Sequence, residues 1–451
     1  MTMLPRNNQD NLQRTISTPQ AVGIAFNQVV GGGVVSLTGA AIALTGGGAP
    51  LAYFLAALSI VIVSLPYAAI GSAMPVTGGA YTYVSRFIHP ILGYVNMCFF
   101  ALSQTSLGLY GIVAGQYMHS LNPWFDQTWV AFCMITSFYI ANMFGAVFGA
   151  RLSMIMMVVH IAAFVMFIAF GFWHFDWVNY PPVLPNGFGK LLQAAAMLTF
   201  ATGGALIVVE LGSELKNPGK AIPVGVLVGT LLAALLYVGI AAIAAGTLPI
   251  AQVAGQPLSV VAEHILPKGA FQFFIVGGAI VAVVGTTNGM LLCGSKSMLA
   301  AVDDGWFPKA AGAVNRRFGT PHFLLTLLYI VGITPIVFGI PLDMIASSVS
   351  AMGQLMFAFV NISALRMRYV LPDVSDAAPF SLNLRLQWVL TIVGTGVCVV
   401  QSMLLLSQGL SRQMLFTFLV AVVVILGWGF KRYPHVRRIK DVNASLQPAA
   451  A

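Results

Sequence analysis

A chain of 451 residues that is 58% hydrophobic and only 7% charged, with a mean hydropathy of +0.89, is excluded from the soluble globular class, in which about a quarter of residues are charged. Its net charge of +9 would fit a nucleic-acid partner, but the distribution excludes one. With the N-terminus in the cytoplasm, all but Lys190, Lys268 and Arg412 of the 21 Lys and Arg fall on the cytoplasmic side of a polytopic topology, so the basic balance orients the chain in a membrane.

Residues 1–19 form a polar cytoplasmic tail, and the apolar run that follows is too long for the h-region of a cleavable signal, so it serves as its own insertion signal. Bilayer crossings need roughly 20 apolar residues. Twelve such runs are expected, at 20–45, 49–74, 90–118, 127–147, 152–173, 191–212, 222–247, 270–300, 322–340, 344–368, 387–409 and 413–431. The first contains Val30-Gly31-Gly32-Gly33-Val34 at its middle. An interior glycine costs a helix ~1 kcal/mol, so three together predict a break. Broken backbone at membrane depth is tolerated only where it is buried in protein or faces a watery cavity, which makes the break a candidate binding site. Close helix packing through small residues is the alternative and stays open.

The second run ends in a stretch from Pro66 to Tyr83 with Pro75 and the pair Gly78-Gly79, which predicts a turn-rich cytoplasmic connection. In the fifth run stands His160, an intramembrane ionisable group that could carry a proton, since imidazole changes charge near neutral pH. A neutral histidine bonded to a carbonyl is the alternative. The sixth run holds Phe200-Ala201-Thr202-Gly203-Gly204-Ala205-Leu206, and matched glycine interruptions in two halves of a membrane chain point to a transport site. Glu210, one turn above Glu214, is either a second proton carrier or a cytoplasmic gate residue paired with a Lys or Arg. Asn217-Pro218 and Ile222-Pro223 stop one helix and start the next.

In the eighth run Thr286, Thr287 and Asn288 offer polar contacts, although hydroxyls there can instead bond their own helix backbone. No sodium site is expected without a carboxylate nearby. Asp303-Asp304-Gly305 with Arg316 and Arg317 forms a charged cytoplasmic loop suited to structure and gating. The tail after Lys431, basic and then Ala-rich, is expected to lie at the anionic inner leaflet and fray. Cys98, Cys133, Cys293 and Cys398 lie inside runs with no metal spacing. With no P-loop or metal cluster, neither a cofactor, a metal nor ATP-driven transport is expected.

Three stretches resemble the amino acid, polyamine and organocation (APC) superfamily of permeases. Pro75-Val76-Thr77-Gly78-Gly79-Ala80-Tyr81-Thr82-Tyr83, leading to Pro90-Ile91-Leu92-Gly93-Tyr94, is similar to its pattern after helix two. Leu211 to Pro223 resembles its loop after helix six, and Gly294 to Pro321 its loop after helix eight. The resemblance implies an inverted repeat, helices one to five (20–173) against helices six to ten (191–368), with helices one and six unwound at the centre. Helices eleven and twelve (387–431) and the tail 432–451 lie outside the repeat.

The resemblance further implies that the half-helix starting at the triglycine offers amides to a substrate carboxylate. Carbonyls ending the first half-helix, and those near Phe200 to Thr202, would take the α-ammonium. Phe200 matches a gate over the substrate, and His160 stands where many members carry a lysine that replaces sodium. Gly32 replaces the superfamily's serine. Ala205 and Leu206 replace a bulky aromatic and a polar residue found in some amino acid permeases, and Ala69 replaces a common acidic one. The pocket implied is roomy and apolar, suited to a neutral or bulky apolar amino acid.

The expectation is an all-α polytopic protein of the cytoplasmic (inner) membrane with both termini cytoplasmic. It would be a secondary active transporter working by alternating access, as proton symporter or exchanger, with an amino acid, protons and membrane lipids as partners and no nucleic acid. Transport of a polyamine or other organic cation is the alternative. An intramembrane acyltransferase-type enzyme would need clustered polar groups, whereas His160 has no i, i+4 partner in its run. A channel would show a repeated filter or a charged ring.

Overall fold

The computed structural model describes residues 14, 16–76, 78–144, 150–178, 180–315 and 320–446. Thr77, the end of the fourth run at 145–147, Arg316, Arg317 and most of the N-terminal tail lie outside the described residues. In chain order the helices are α1 (Thr18–Val29), α2 (Gly32–Thr45), α3 (Ala49–Ala73), α4 (Gly79–Phe87), α5 (Pro90–Ser103), α6 (Ser106–Leu121), α7 (Gln127–Met143), α8 (Ala150–Trp173) and α9 (Phe188–Thr202). A 3₁₀ segment, Gly203–Glu210, then leads towards α10 (Pro218–Gly246). The short α11 (Ile250–Val253), α12 (Ser259–Ile265) and α13 (Lys268–Phe273) precede a π-helical segment, Phe274–Ile280. The chain continues through α14 (Val281–Asp303), α15 (His322–Val337), α16 (Leu342–Val370), α17 (Pro372–Asp376), α18 (Leu384–Gln408) and α19 (Arg412–Leu446).

Starts are encoded locally. Ser17 and Gln20 form a capping box on α1, Asp126 caps α7 by accepting from the Trp129 N–H, and Pro218 enters α10 in its first turn. Among the described residues nine stretches are long and apolar enough to cross a bilayer. They are fewer than the twelve expected runs for identifiable reasons. Residues Thr18–Ala73 form one apolar stretch of 56 residues, while α7 and α15 have 17 and 16 residues, short of the roughly 20 that a full crossing needs.

Two of the expected crossings are internally irregular, and one expectation is corrected. The third run is not one helix but α5 and α6, divided at Gln104–Thr105. The eighth changes its winding through the π-helical segment, whose Gly277 and Gly278 lie against Val159 and Ala163 of α8. The tail beyond Lys431 does not fray there: α19 stays helical to Leu446, with Pro434 inside it. Docking holds it. Trp428 Nε1 donates to the Trp306 carbonyl at 3.4 Å, Arg432 Nε to the Gly305 carbonyl at 3.0 Å, and Val436 is fully buried.

The core is built on α1, α3, α9 and α10, with α3 and α1 both packed on α10. Within a bilayer the hydrophobic effect gives helices no reason to associate, so small residues and close contact must. A Cβ on Gly229 of α10 would lie 2.8 Å from Ala25 Cβ of α1. Separately, α2 is tied to the connection between α10 and α13, the Gly255 and Leu258 amides donating to Gly39 and Val35 carbonyls at 2.8 and 3.1 Å.

Candidate functional site

The break in the first run falls where the glycines begin. Val30 (φ −75°, ψ 78°) and Gly31 (φ −118°, ψ −159°) leave the helix between α1 and α2. The Val29 carbonyl, freed at the end of α1, accepts from Tyr237 Oη at 2.7 Å and from the Gly31 N–H at 2.8 Å. Beyond the break α2 starts at Gly32, so its first-turn amides have no acceptor within the helix and its positive end points into the break.

Each glycine is also a close packing contact. A Cβ would lie 2.7 Å from Thr286 Oγ1 at Gly31, 2.8 Å from Tyr110 Cδ1 at Gly32 and 2.7 Å from Ala201 Cβ at Gly33. At Gly204 it would sit 1.9 Å from the Gln28 carbonyl oxygen. The packing and break readings therefore hold at the same residues, and the two glycine clusters face each other. The sixth run differs in detail from the expectation. Phe200, Ala201 and Thr202 stay α-helical, with Thr202 Oγ1 bonded back to the Leu198 carbonyl at 3.3 Å. The irregular part is the 3₁₀ segment after them, eight residues long, where such runs rarely exceed 3–4 residues and often mark hinges. Ala205 and Leu206 are buried within it.

Two cavities are lined by residues of these elements. A vestibule of about 700 Å³ is lined by Ser36 and Leu37 of α2, Ile112 and Gln116 of α6, and Gln193 and Met197 of α9. A smaller cavity of about 150 Å³ is lined by Gly203, Gly204, Leu206 and Glu210 with Tyr67, Asn96 and Phe357. The Phe200 ring, one turn beyond Met197, lies against Tyr110 with centroids 5.8 Å apart. Tyr110 was not singled out in the sequence; nothing local distinguishes it from the other aromatic residues of that run.

His160 is fully buried on α8. Its Nδ1 lies 3.1 Å from Oδ1 of Asn27, in the last turn of α1, and its Nε2 has no partner. The Asn27 carbonyl accepts from Thr286 Oγ1 at 3.3 Å, and the same hydroxyl bonds its own helix at Ala282 at 3.0 Å. Asn27 thus joins α8 and α14 at the end of α1, through its side chain to His160 and its main-chain carbonyl to Thr286, and is the link the sequence reading missed. Thr287 Oγ1 is buried without a partner, and Asn288 Oδ1 accepts from Asn142 Nδ2 at 2.9 Å.

Glu210 Oε1 accepts from the Ala80 N–H at 3.1 Å, in the first turn of α4, where a helix dipole favours an anion. That contact joins the start of α4 to the end of the sixth run. Tyr81 joins it to the loop after α14: its hydroxyl donates to Asp304 and accepts from Trp306 Nε1 at 3.0 Å. Burial, reinforced by Asp304, holds the Tyr81 phenol well above the usual tyrosine range, so it stays a donor. Gly78, at φ +68°, makes the turn into α4 that a side chain would resist.

Residues 16–430 match the model of a family described as amino acid permease. The chain belongs to that family. It is 26% identical over 400 residues to a branched-chain amino acid permease of Bacillus subtilis, covering 82% of this chain and 84% of that protein. It is 24% identical over 424 residues to a methylthioribose transporter of the same organism, covering 88% and 90%. To a vacuolar cationic amino acid transporter of Arabidopsis thaliana it is 24% identical over 422 residues, 85% of this chain and 64% of that one. The permease is an integral membrane transporter, not an enzyme, and its substrates are small molecules of the amino acid class.

Proposed function

We propose that this permease carries neutral, bulky apolar amino acids across the cytoplasmic membrane by alternating access. Its twelve crossings would be arranged as a repeat, 20–173 against 191–368, with 387–431 outside it and both termini cytoplasmic. The observation that carries this reading is the pair of facing helix irregularities, with α2 and α9 lining one cavity and the 3₁₀ segment after α9 lining another. The substrate's carboxylate takes the amides of Gly32 and Gly33 at the start of α2, and its ammonium takes carbonyls at the ends of α1 and α9. Backbone dipoles neutralise a zwitterion without burying a full unpaired charge. Val30, Ala201, Thr202, Gly203, Ala205 and Leu206 shape the pocket, and Phe200 with Tyr110 closes it towards the vestibule. The similarity to branched-chain permeases supports the apolar side chain.

His160 couples a proton to this cycle through Asn27, since its protonation changes what the last turn of α1 can bond. Glu210 gates the opposite side through α4. Thr286 steadies the break at Gly31, and Thr287 lies next to it on α14. The deciding experiment is uptake of a radiolabelled amino acid panel into proteoliposomes, with and without an inward proton gradient and with or without internal amino acid. Gradient-driven accumulation of leucine-like substrates supports symport. Uptake that needs internal amino acid and ignores the gradient makes the permease an exchanger. If polyamines move and no amino acid does, the reading fails.

A further inference from the structure

We propose that the smaller cavity, beyond Gly203 and Gly204, is a second binding site selective for a primary ammonium group. It rests on the transport reading in one respect: the ammonium is that of the amino acid leaving the helix breaks. The cavity measures about 150 Å³, the volume share of about five waters. Asn96 lines it, is 1% exposed, and leaves its amide oxygen Oδ1 with no partner. An unmade hydrogen bond in such a wall is costly, so the site demands a donor.

The rest of the lining makes the same demand. Glu210 presents a carboxylate, which only accepts. Tyr67, Phe100 and Phe357 supply aromatic walls, whose faces attract cations. No Lys, Arg or His is among the lining residues, so a carboxylate would meet repulsion there and an ammonium would not. The two ends of a zwitterion are thus held in succession, the carboxylate by the α2 amides and then the ammonium by Glu210 and Asn96.

The test is calorimetric titration of the full-length, detergent-purified chain, in saturating leucine, with 3-methylbutylamine and with 3-methylbutan-1-ol, which has the same branched chain but no charge. The expected result is that the amine binds alongside leucine and the alcohol does not. Asn96→Leu and Glu210→Gln should each weaken the amine at least about tenfold, close to 1.4 kcal/mol, with folding checked by thermal melting. If either variant does not fold, the amine-against-alcohol comparison on the unaltered chain decides. Displacement of the amine by leucine, equal binding of the alcohol, or unchanged affinity in folded variants would overturn the site. Tighter binding of putrescine than of the monoamine would overturn the substrate-in-transit assignment in favour of a diamine. An amine that binds in a Glu210-dependent way to a chain that does not bind leucine keeps the ammonium site and sinks the amino acid reading.

Discussion

At the residue scale, Gly32 and Tyr110 form a complementary pair: the ring fills the space that a side chain at 32 would take. Gly32→Ser, which restores the hydroxyl the superfamily carries, should therefore cost about 1–3 kcal/mol through overpacking and cut uptake, and Tyr110→Ala in the same chain should recover folding. Gly204 meets rigid backbone at 1.9 Å while Gly396 has open space. Gly204→Ala should lower the melting temperature by several degrees with Gly396→Ala unchanged, and equal effects would remove the packing argument. His160→Gln keeps a side chain able to bond Asn27 but cannot take up a proton. It should preserve substrate exchange and abolish gradient-driven accumulation in proteoliposomes. Loss of both activities would return His160 to a structural role.

At the element scale, α4 binds the end of the sixth run and the loop that follows the eighth, through Ala80 to Glu210 and Tyr81 to Asp304. Tyr81→Phe removes the second contact and should change the rate of substrate release more than binding, as separated by efflux and equilibrium titration. Burial beside Asp304 raises Asp303 above the usual carboxylate range. A raised carboxylate makes the folded state the better proton binder, so this contribution is full below the unfolded pKa and lost as pH rises through the folded one. Asp303→Asn, which does not ionise, should melt above the unaltered chain at pH 7, with the gap shrinking towards acid pH. A gap that grows on acidification would reverse the sign.

At the scale of the whole molecule, the vestibule and the smaller cavity share no lining residue. In a chain with its native cysteines replaced, Ala43→Cys in the vestibule should react with a membrane-impermeant thiol reagent from outside intact cells. Ser103→Cys in the smaller cavity should be protected from the same side, and to be protected by substrate only from within. Labelling of both from one side would contradict two compartments separated by a gate.

Composition sufficed to identify a membrane chain, because repeated runs of roughly 20 nearly uncharged residues leave too little polar surface to face water. The triglycine located the first helix break, because the cost of glycine in a helix is local. Its partner in the sixth run was legible only in part: Gly203 and Gly204 marked the change of winding, yet only the fold shows the backbone at Gln28 and Val29 so close that Gly204 has no room for a Cβ. Helical periodicity likewise could not show the docking of α19 onto Gly305 and Trp306. Asn27, Asn96 and Tyr110 carry no local signal, since a polar or aromatic residue in an apolar run looks alike whether it faces a neighbour or a cavity. Only the approach of elements distant in sequence sets Asn27 against His160, Tyr110 over Gly32, and Asn96 towards Glu210 across one cavity.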